Sequence, residues 1–281
     1  MRSKGSDKNW FPLSKQAKIS GREPTGEAFQ TKWIDFERGI RVGNIEPHER
    51  ITRIVKYHLE QTHATPFVTD RWGRGVFWQW ICWLPKANRS AKPVSHSYNF
   101  GCAKFFITVD KQRRVFQSGL QVERGRVSQA PDSEAVSVCL QDDWDWHRLM
   151  RASAMESKSA MESKSAMESG LHLELRRLLV QDGFVAELAG ENHRLVLNRN
   201  TYCSAAQLSQ AAAQLSDDGW AFFQLYYPMP EREVRACSGY ELVKALLAVF
   251  LEVVPVMNRC MQVPLQTQKQ SPVLGAHAER S

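Results

Sequence analysis

The residues best suited to binding chemistry lie in one basic and aromatic stretch, residues 51–130. This stretch carries 13 Lys and Arg side chains against 4 Asp and Glu, with aromatic residues between them. Cationic side chains contact phosphates, and exposed rings stack on nucleic-acid bases. The sequence therefore predicts a surface that binds nucleic acid or another polyanion. The candidate contact residues are Arg71, Trp72, Arg74, Arg89, Lys92, Tyr98, Lys104, Arg113 and Arg114.

The same stretch supports a second interpretation. In it, Trp78, Trp80 and Trp83 belong to the core, and the cations form a solvated rim that faces the acidic second half. That half, residues 131–281, carries 14 basic and 19 acidic side chains. Alternation along a strand shows which side chains share a face, but not which face is exposed. Both interpretations stay open at this point.

Thiol and imidazole groups in the same stretch raise an alternative function, catalysis. His96 and Cys102 lie six positions apart, and Cys82 belongs to a preceding strand. A Cys–His nucleophilic pair needs an orienting third group, and a zinc site needs a fourth ligand. Neither can be named, and a cysteine on a strand is usually a small buried hydrophobe. The catalytic residues stay unknown, and an enzyme site near His96 and Cys102, with Arg89 or Lys92, is the alternative hypothesis.

A cluster of carboxylates before the second half combines Asp142, Asp143 and Asp145 with His147. These are ligand types for a divalent metal ion. However, Asp142 or Asp143 stands where the next helix needs an N-cap, and Asp145 lies in the first helical turn. The helix dipole stabilises a carboxylate there. Capping is therefore the favoured interpretation, and no metal is predicted.

Motifs for phosphate chemistry are weak. The sequence has neither a P-loop nor a dinucleotide-binding glycine signature. The Gly-Arg-Gly at 73–75 could cradle an anion, but it is more typical of a bend. The Pro-Asp at 131–132 and the Glu-Ser-Lys at 156–158 outline a metal-dependent nuclease, yet the latter lies in a repeat that cannot hold ligands rigidly. No cofactor is predicted.

The secondary structure predicted around these residues indicates an α+β fold. We expect a basic antiparallel β-rich half, followed by a helical half with a small hairpin and one aromatic strand. The first half is predicted to contain a helix from Pro47, a strand after Gly75, strands at Phe100–Val109, Arg114–Val122 and Ala135–Leu140, and a turn at Asp110–Gln112.

The second half begins with a helix at Leu171–Leu179 that Gly183 caps. A hairpin of strands 184–188 and 194–197 is predicted next, followed by a helix that begins at Ser204. A strand at Trp220–Tyr227 is predicted to stop at Pro228 and Pro230. The last helix is predicted to begin with Ser238 as N-cap and to be kinked or ended by Pro255.

A hexad repeat, Ser-Ala-Met-Glu-Ser-Lys, starts at Ser153, at Ser159 and in shortened form at Ser165. A period of six places successive methionines on different helix faces, so the repeat is interpreted as a spacer. The predicted organisation is a mostly flexible basic segment (1–44), a β-rich basic region (45–151), the spacer (152–170), an α+β region (171–262) and a flexible tail (263–281).

Composition restricts the protein class. With 43% hydrophobic residues the chain is too apolar to be disordered, and no apolar run reaches transmembrane length. The N-terminus lacks the apolar core of a secretory signal, and the six cysteines are spread singly. We therefore expect a cytoplasmic protein with reduced thiols and no membrane partner.

Several short matches follow one another in the order of a known family. They are Lys92-Pro93, Phe100-Gly101, Ser118-Gly119, and Pro255 with Asn258. In this order the region from Pro66 to Met261, about two thirds of the chain, resembles an uncharacterised bacterial family, domain of unknown function 2461. The family's Arg-Asp-x-Arg-Phe-Ser-Lys run is missing, with Arg89-Ser90 as its only counterpart. The resemblance implies no reaction, because the family has no established one.

The sequence therefore favours a bacterial cytosolic protein that binds an anionic partner, above all nucleic acid, through a basic aromatic sheet. The enzyme near His96 and Cys102 is one alternative. The other is a subunit of a larger assembly, in which the basic half docks against an acidic protein.

Overall fold

A computed structural model describes residues 23–92, 101–124, 144–162, 170–202, 206–215 and 220–266. These residues form a nine-stranded antiparallel sheet and several helices, which confirms the α+β class. The strands are β1 (Ile34–Asp35), β2 (Gly39–Arg41), β3 (Phe67–Arg74), β4 (Phe77–Pro85), β5 (Lys104–Asp110), β6 (Val115–Arg124), β7 (Val185–Gly190), β8 (Arg194–Leu197) and β9 (Ala221–Pro230). The helices are α1 (Ile51–His63), α2 (Lys86–Ser90), α3 (Asp145–Glu162), α4 (Gly170–Arg176), α5 (Ala206–Ala212), α6 (Glu231–Ala236) and α7 (Gly239–Cys260). None of these helices is long and apolar enough to cross a membrane.

The strand order is β1-β2-β4-β5-β6-β9-β7-β8, and β3 pairs with β4. Trp78 of β4 pairs with both Ile40 of β2 and Gly73 of β3, so β2 and β3 lie on opposite sides of β4. On its outer side, β3 has no strand among the described residues. It therefore forms an edge of the sheet in the described part of the chain.

The helices pack on one face of this sheet, which we call the helical face. Trp83 and Phe105, on neighbouring strands, contact Phe250 of α7 with ring centroids 5.9 and 4.7 Å apart. The indole N–H of Trp83 also donates to the carbonyl of Thr52 in α1 at 3.1 Å. Trp83 is fully buried, so this tryptophan is core and cannot contact a ligand.

The opposite face of the sheet carries a second, smaller apolar cluster. The buried members of this cluster are Val68, Cys82, Leu84, Cys102, Phe106 and Tyr226. Trp80 is partly buried and packs against the cluster. Most of the aromatic β4 strand is therefore occupied in packing on one face or the other, as expected for a strand with large residues at both parities.

Both predicted halves of the chain contribute to one sheet and one main core. β6 from the first half pairs with β9 from the second over ten positions, and the core extends from Phe29 to Leu265. Residues 23–44 differ from the mostly flexible segment that the sequence suggested, since they form β1 and β2 and bury Trp33 and Phe36. Scattered apolar residues there bury enough surface to offset their ordering.

Helix α3 begins at Asp145, which places this residue in the first turn as predicted, and continues to Glu162. It therefore runs through the first part of the predicted spacer, whose Ala, Met, Glu and Lys favour helix. The strand predicted at Ala135–Leu140, residues 163–169 of the spacer and the segments 1–22 and 267–281 lie outside the described residues.

Strand β9 continues to Pro230, so the prediction that Pro228 stops it is wrong. Strand β7 ends its pairing at Val185, opposite Tyr226, and beyond that point β6 is the only partner of β9 among the described strands. A proline can remain in a strand where its missing N–H would face an unpaired side.

Helix α7 begins as predicted, with a capping box. The Ser238 hydroxyl accepts from the N–H of Glu241 at 3.2 Å, and the Glu241 carboxylate accepts from the N–H of Ser238 at 2.8 Å. Pro255 does not end the helix, which continues to Cys260. Val254 and Val256 on either side are buried, and this packing offsets the loss of one backbone hydrogen bond.

Candidate functional site

The candidate site lies at the end of the β3–β4 hairpin that carries the turn, which we call the hairpin tip. The turn is formed by residues 75–76, and Gly75 has a φ of 63°, a left-handed conformation that favours glycine. Gly73 has a φ of 150°, and a Cβ there would lie 2.7 Å from the Cα of Trp78. Close approach of the two strands therefore requires glycine at position 73.

A β-bulge next to Gly73 decides which side chains share a face. Trp72 pairs with Trp80, whereas Gly73 pairs with Trp78, so Gln79 is an extra residue in β4. The bulge places Trp78 against the main core on the helical face. Paired residues point to the same side, so Trp72 lies with Trp80 on the opposite face.

A depression of about 650 Å³ opens at the tip and is lined by Arg38, Trp72, Gly73, Arg74, Phe77 and Gln79. Trp72 is 69% exposed, the highest fraction among the large apolar side chains of the described residues. The guanidinium carbon of Arg38 lies 4.0 Å from the ring centroid of Phe77. The Gln79 side chain donates to the Arg38 carbonyl at 2.7 Å, which ties the β1–β2 turn to the hairpin.

The cations of the depression are not paired within the described part of the chain. The side chains of Arg38 and Arg74 have no carboxylate within 4.0 Å among the described residues. A guanidinium group offers five N–H donors in a planar fork that suits a phosphate. The depression therefore combines two available guanidinium groups with an exposed indole ring.

Arg71 adds positive charge on the helical face of the same tip. It pairs with the core residue Ile81, and its guanidinium carbon lies 4.1 Å from the ring centroid of Trp78. Burial lowers the pKa of Arg71, and the nearby Arg50 lowers it further, while Asp70 raises it. Arg71 is nevertheless exposed at the surface.

Lys92 does not belong to the predicted binding surface, because it is buried in an ion pair. Its Nζ lies 2.8 Å from Oδ1 of Asp145 and donates to the carbonyl of Asn88 at 3.1 Å. Asp145 also accepts from the Asn88 side chain at 2.7 Å and from the N–H of Ala103 at 2.6 Å. Asp145 lies in the first turn of α3 as predicted, but its partners join α3 to α2 and to the start of β5.

Lys104 is likewise buried and paired. Its Nζ lies 2.6 Å from Oε2 of Glu123 and 5.5 Å from the ring centroid of Trp80. The Trp80 indole N–H donates to the side-chain oxygen of Gln121 at 2.9 Å, and Gln121 in turn bonds to Glu123. Attraction to Glu123 raises the pKa of Lys104, although burial acts in the opposite direction and is the largest single influence. Lys104 and Trp80 therefore form an internal network.

The other predicted contact residues are scattered. Nε of Arg113 lies 2.6 Å from Oδ2 of Asp110, the first residue of the predicted turn between β5 and β6. Nε of Arg114 lies 2.5 Å from Oε2 of Glu231, and its Nη1 lies 3.6 Å from Oε1 of Glu37. Arg89 is partly buried in α2, and Tyr98 lies outside the described residues. The structure thus brings together Arg71, Trp72 and Arg74 from the predicted set.

The thiols near the alternative enzyme site are buried. Cys82 and Cys102 have no exposed surface. Burial raises the pKa of Cys102 to about 11 and raises that of Cys82 further. At neutral pH these thiols are protonated, whereas a nucleophilic cysteine acts as the thiolate. His96 lies outside the described residues, so its pairing with Cys102 stays a prediction.

Sequence reasoning missed Arg38, Phe77 and Gln79. Arg38 was assigned to a mostly flexible segment, and its position depends on pairing between β2 and β4, which are distant in the sequence. A local signal existed in the alternation of Ile40 and Val42 with Arg41, which indicates a short strand after the turn that holds Arg38.

Comparisons with known proteins give no assignment. No family model matches the chain, and no curated protein is similar to it at a significant level. The resemblance to domain of unknown function 2461 therefore stays a prediction, and the functional argument depends on the geometry of the hairpin tip.

Proposed function

We propose that the protein binds nucleic acid through the depression at the hairpin tip. The proposal narrows the basic surface that the sequence suggested to the side chains that remain available there. They are Arg38, Arg71, Trp72, Arg74 and Phe77.

The observation that carries the proposal is the exposure of Trp72 in a depression that is also lined by two arginines, Arg38 and Arg74, whose side chains lack a carboxylate partner among the described residues. When a partner covers an exposed indole ring, apolar surface is removed from water, which contributes favourable free energy to binding. Phosphate groups complement guanidinium groups, and bases complement an aromatic ring. Nucleic acid supplies both groups on one flexible chain.

The test is binding of fluorescently labelled DNA and RNA, single-stranded and duplex, followed by anisotropy from about 50 to about 200 mM salt. We expect binding at low salt that weakens steeply as salt rises, since phosphate contacts release condensed counterions. The double variant Arg38→Ala/Arg74→Ala should bind about tenfold more weakly, because two phosphate contacts are lost.

The matched control is Arg176→Ala/Arg199→Ala, which removes two exposed arginines that do not line the depression, one at the end of helix α4 and one after strand β8. It lowers the net charge equally and should change the affinity much less. Equal weakening by both double variants would show that only net charge matters. Absence of binding to every nucleic acid at low salt would refute the proposal.

A further inference from the structure

The class of nucleic acid can be inferred from the position of the site on the sheet edge. We infer that the ligand is single-stranded and that one of its unpaired bases stacks on Trp72. This inference rests on the proposed function and narrows its substrate class.

The first observation is the openness of the edge. Trp72 lies on β3, which has no neighbour on its outer side among the described strands. More than two thirds of the Trp72 side chain is exposed. The ring is therefore accessible to a flat partner, and stacking requires a base whose face is free.

The second observation is the distribution of charge around that edge. Arg74 lies with Trp72 on the face away from the helices, and Arg71 lies on the helical face beside Trp78. Successive strand residues alternate between faces, so only a ligand that bends around the edge can contact Arg71 and Arg74 together. A single strand is flexible enough to follow that path.

A duplex fits this arrangement poorly. Its bases are stacked on each other and offer only their edges in the grooves. It is also stiff over about 150 base pairs, so it cannot curve closely around one β-strand. A duplex would contact Arg38 and Arg74 as backbone partners without engaging the indole of Trp72 or the guanidinium of Arg71.

The experiment compares three labelled probes with the full chain. The first is an oligodeoxythymidine of about 12 nucleotides, within the site sizes of single-strand binding folds. The second is a duplex of the same length, and the third is an abasic strand with the same number of phosphates. The proteins are the unmodified chain, Trp72→Ala, Trp72→Phe and Arg71→Ala, with Trp220→Ala as a control at another exposed tryptophan.

We expect oligodeoxythymidine to bind more tightly than the duplex. Trp72→Ala should weaken its binding roughly 5- to 150-fold, the range for loss of one stacked base, and Trp72→Phe should retain part of the affinity. The abasic strand should bind the unmodified chain weakly and should be insensitive to Trp72→Ala. Arg71→Ala should weaken binding of the single strand but not of the duplex, and Trp220→Ala should change neither.

The experiment distinguishes failure of the single-strand inference from failure of the proposed function. If the duplex binds as tightly as the single strand, or if Trp72→Ala weakens the abasic and thymidine strands equally, the single-strand inference fails and the proposed function stands. If no probe binds at low salt, both fail. Thermal melting of each variant confirms that a change in binding does not reflect unfolding.

Discussion

The hairpin tip and the interior of the sheet contain the same kinds of side chain in different settings. At the tip, Arg38 and Arg74 line the same depression as the exposed Trp72 and have no carboxylate partner among the described residues. Nearer the centre of the sheet, Lys104 lies by the ring of Trp80 and is paired with Glu123. Both regions combine a cation with an indole ring.

Access to solvent decides whether a cation next to an aromatic ring serves stability or is available for binding. A buried cation without a partner is costly, so Lys104 in the sheet is paired with Glu123, and the buried Lys92 next to the helices is paired with Asp145. At the edge, water solvates the guanidinium groups and no partner is needed for stability. The cations at the tip are therefore free to exchange water for a ligand, whereas those of the interior are not.

The largest effect that would test this comparison is on the pair of Lys92 with Asp145. Asp145→Ala leaves Lys92 buried without its counter-ion and removes acceptors from Asn88 and Ala103. We expect the free energy of unfolding to fall by about 3–5 kcal/mol, measured by urea denaturation. The control Glu27→Ala, at an exposed carboxylate, should change it by less than about 0.5 kcal/mol. A similar small effect for Asp145→Ala would contradict the structural role of the pair.

A smaller effect is expected for Lys104, because its partner Glu123 keeps some contact with solvent. Lys104→Met should lower the free energy of unfolding by about 2–4 kcal/mol, since it leaves the Glu123 carboxylate without its cation. The double variant Lys104→Met/Glu123→Leu should recover much of that loss. Nucleic-acid affinity of the folded single variant should stay unchanged. A loss of affinity equal to that of Arg38→Ala/Arg74→Ala would place Lys104 in the binding surface after all.

A still smaller effect is expected from pH, which should change the free energy of unfolding through a buried histidine but should not change binding at the hairpin tip. His63 is buried against Phe67 and Phe105, and its Nδ1 lies 3.2 Å from the carbonyl of Gln266. Burial lowers the pKa of His63, an effect that outweighs the opposing bond to Gln266. As the pH falls below about 6.5, the unfolded chain takes up this proton more readily than the folded chain. The contribution of His63 to stability is therefore present above that pH and is lost below it.

The measurement is urea denaturation between about pH 8 and pH 5 for the unmodified chain and His63→Gln. The variant should show a shallower fall of stability, and identical slopes would contradict the assignment. Binding at the tip depends on arginines, which stay protonated throughout this range. The affinity of the folded protein for nucleic acid should accordingly stay flat.

Local patterns were sufficient to predict much of the fold. The alternation and turn residues around Asp110 predicted the β5–β6 hairpin, and Ser238 predicted the start of α7. Strand β3 and the short strands β1 and β2 were missed. Strands β2 and β3 form by pairing with β4, and β1 forms by pairing with β2. In β3, Gly73 and the neighbouring charges also weaken the local strand signal.

The candidate site was only partly predictable. Arg71, Trp72 and Arg74 were identified because they belong to the basic and aromatic stretch, residues 51–130. Lys92 and Lys104 belong to the same basic stretch, but their carboxylate partners come from α3 and β6. Composition cannot show such pairing, because it depends on strand register and helix packing. Arg38 was missed for the same reason. The β1–β2 turn that carries it lies far from the hairpin in the sequence and is brought to the tip by the folded structure, where the Gln79 side chain donates to the Arg38 carbonyl.

The most direct test of the central claim is the salt dependence of single-strand binding for the unmodified chain and Arg38→Ala/Arg74→Ala. Each phosphate contact contributes about 0.7 to the slope of log affinity against log salt concentration. We predict that the double variant has a slope shallower by about 1.4, which corresponds to two lost contacts. An unchanged slope, or an equal change in Arg176→Ala/Arg199→Ala, would contradict the claim that the hairpin tip holds the phosphates.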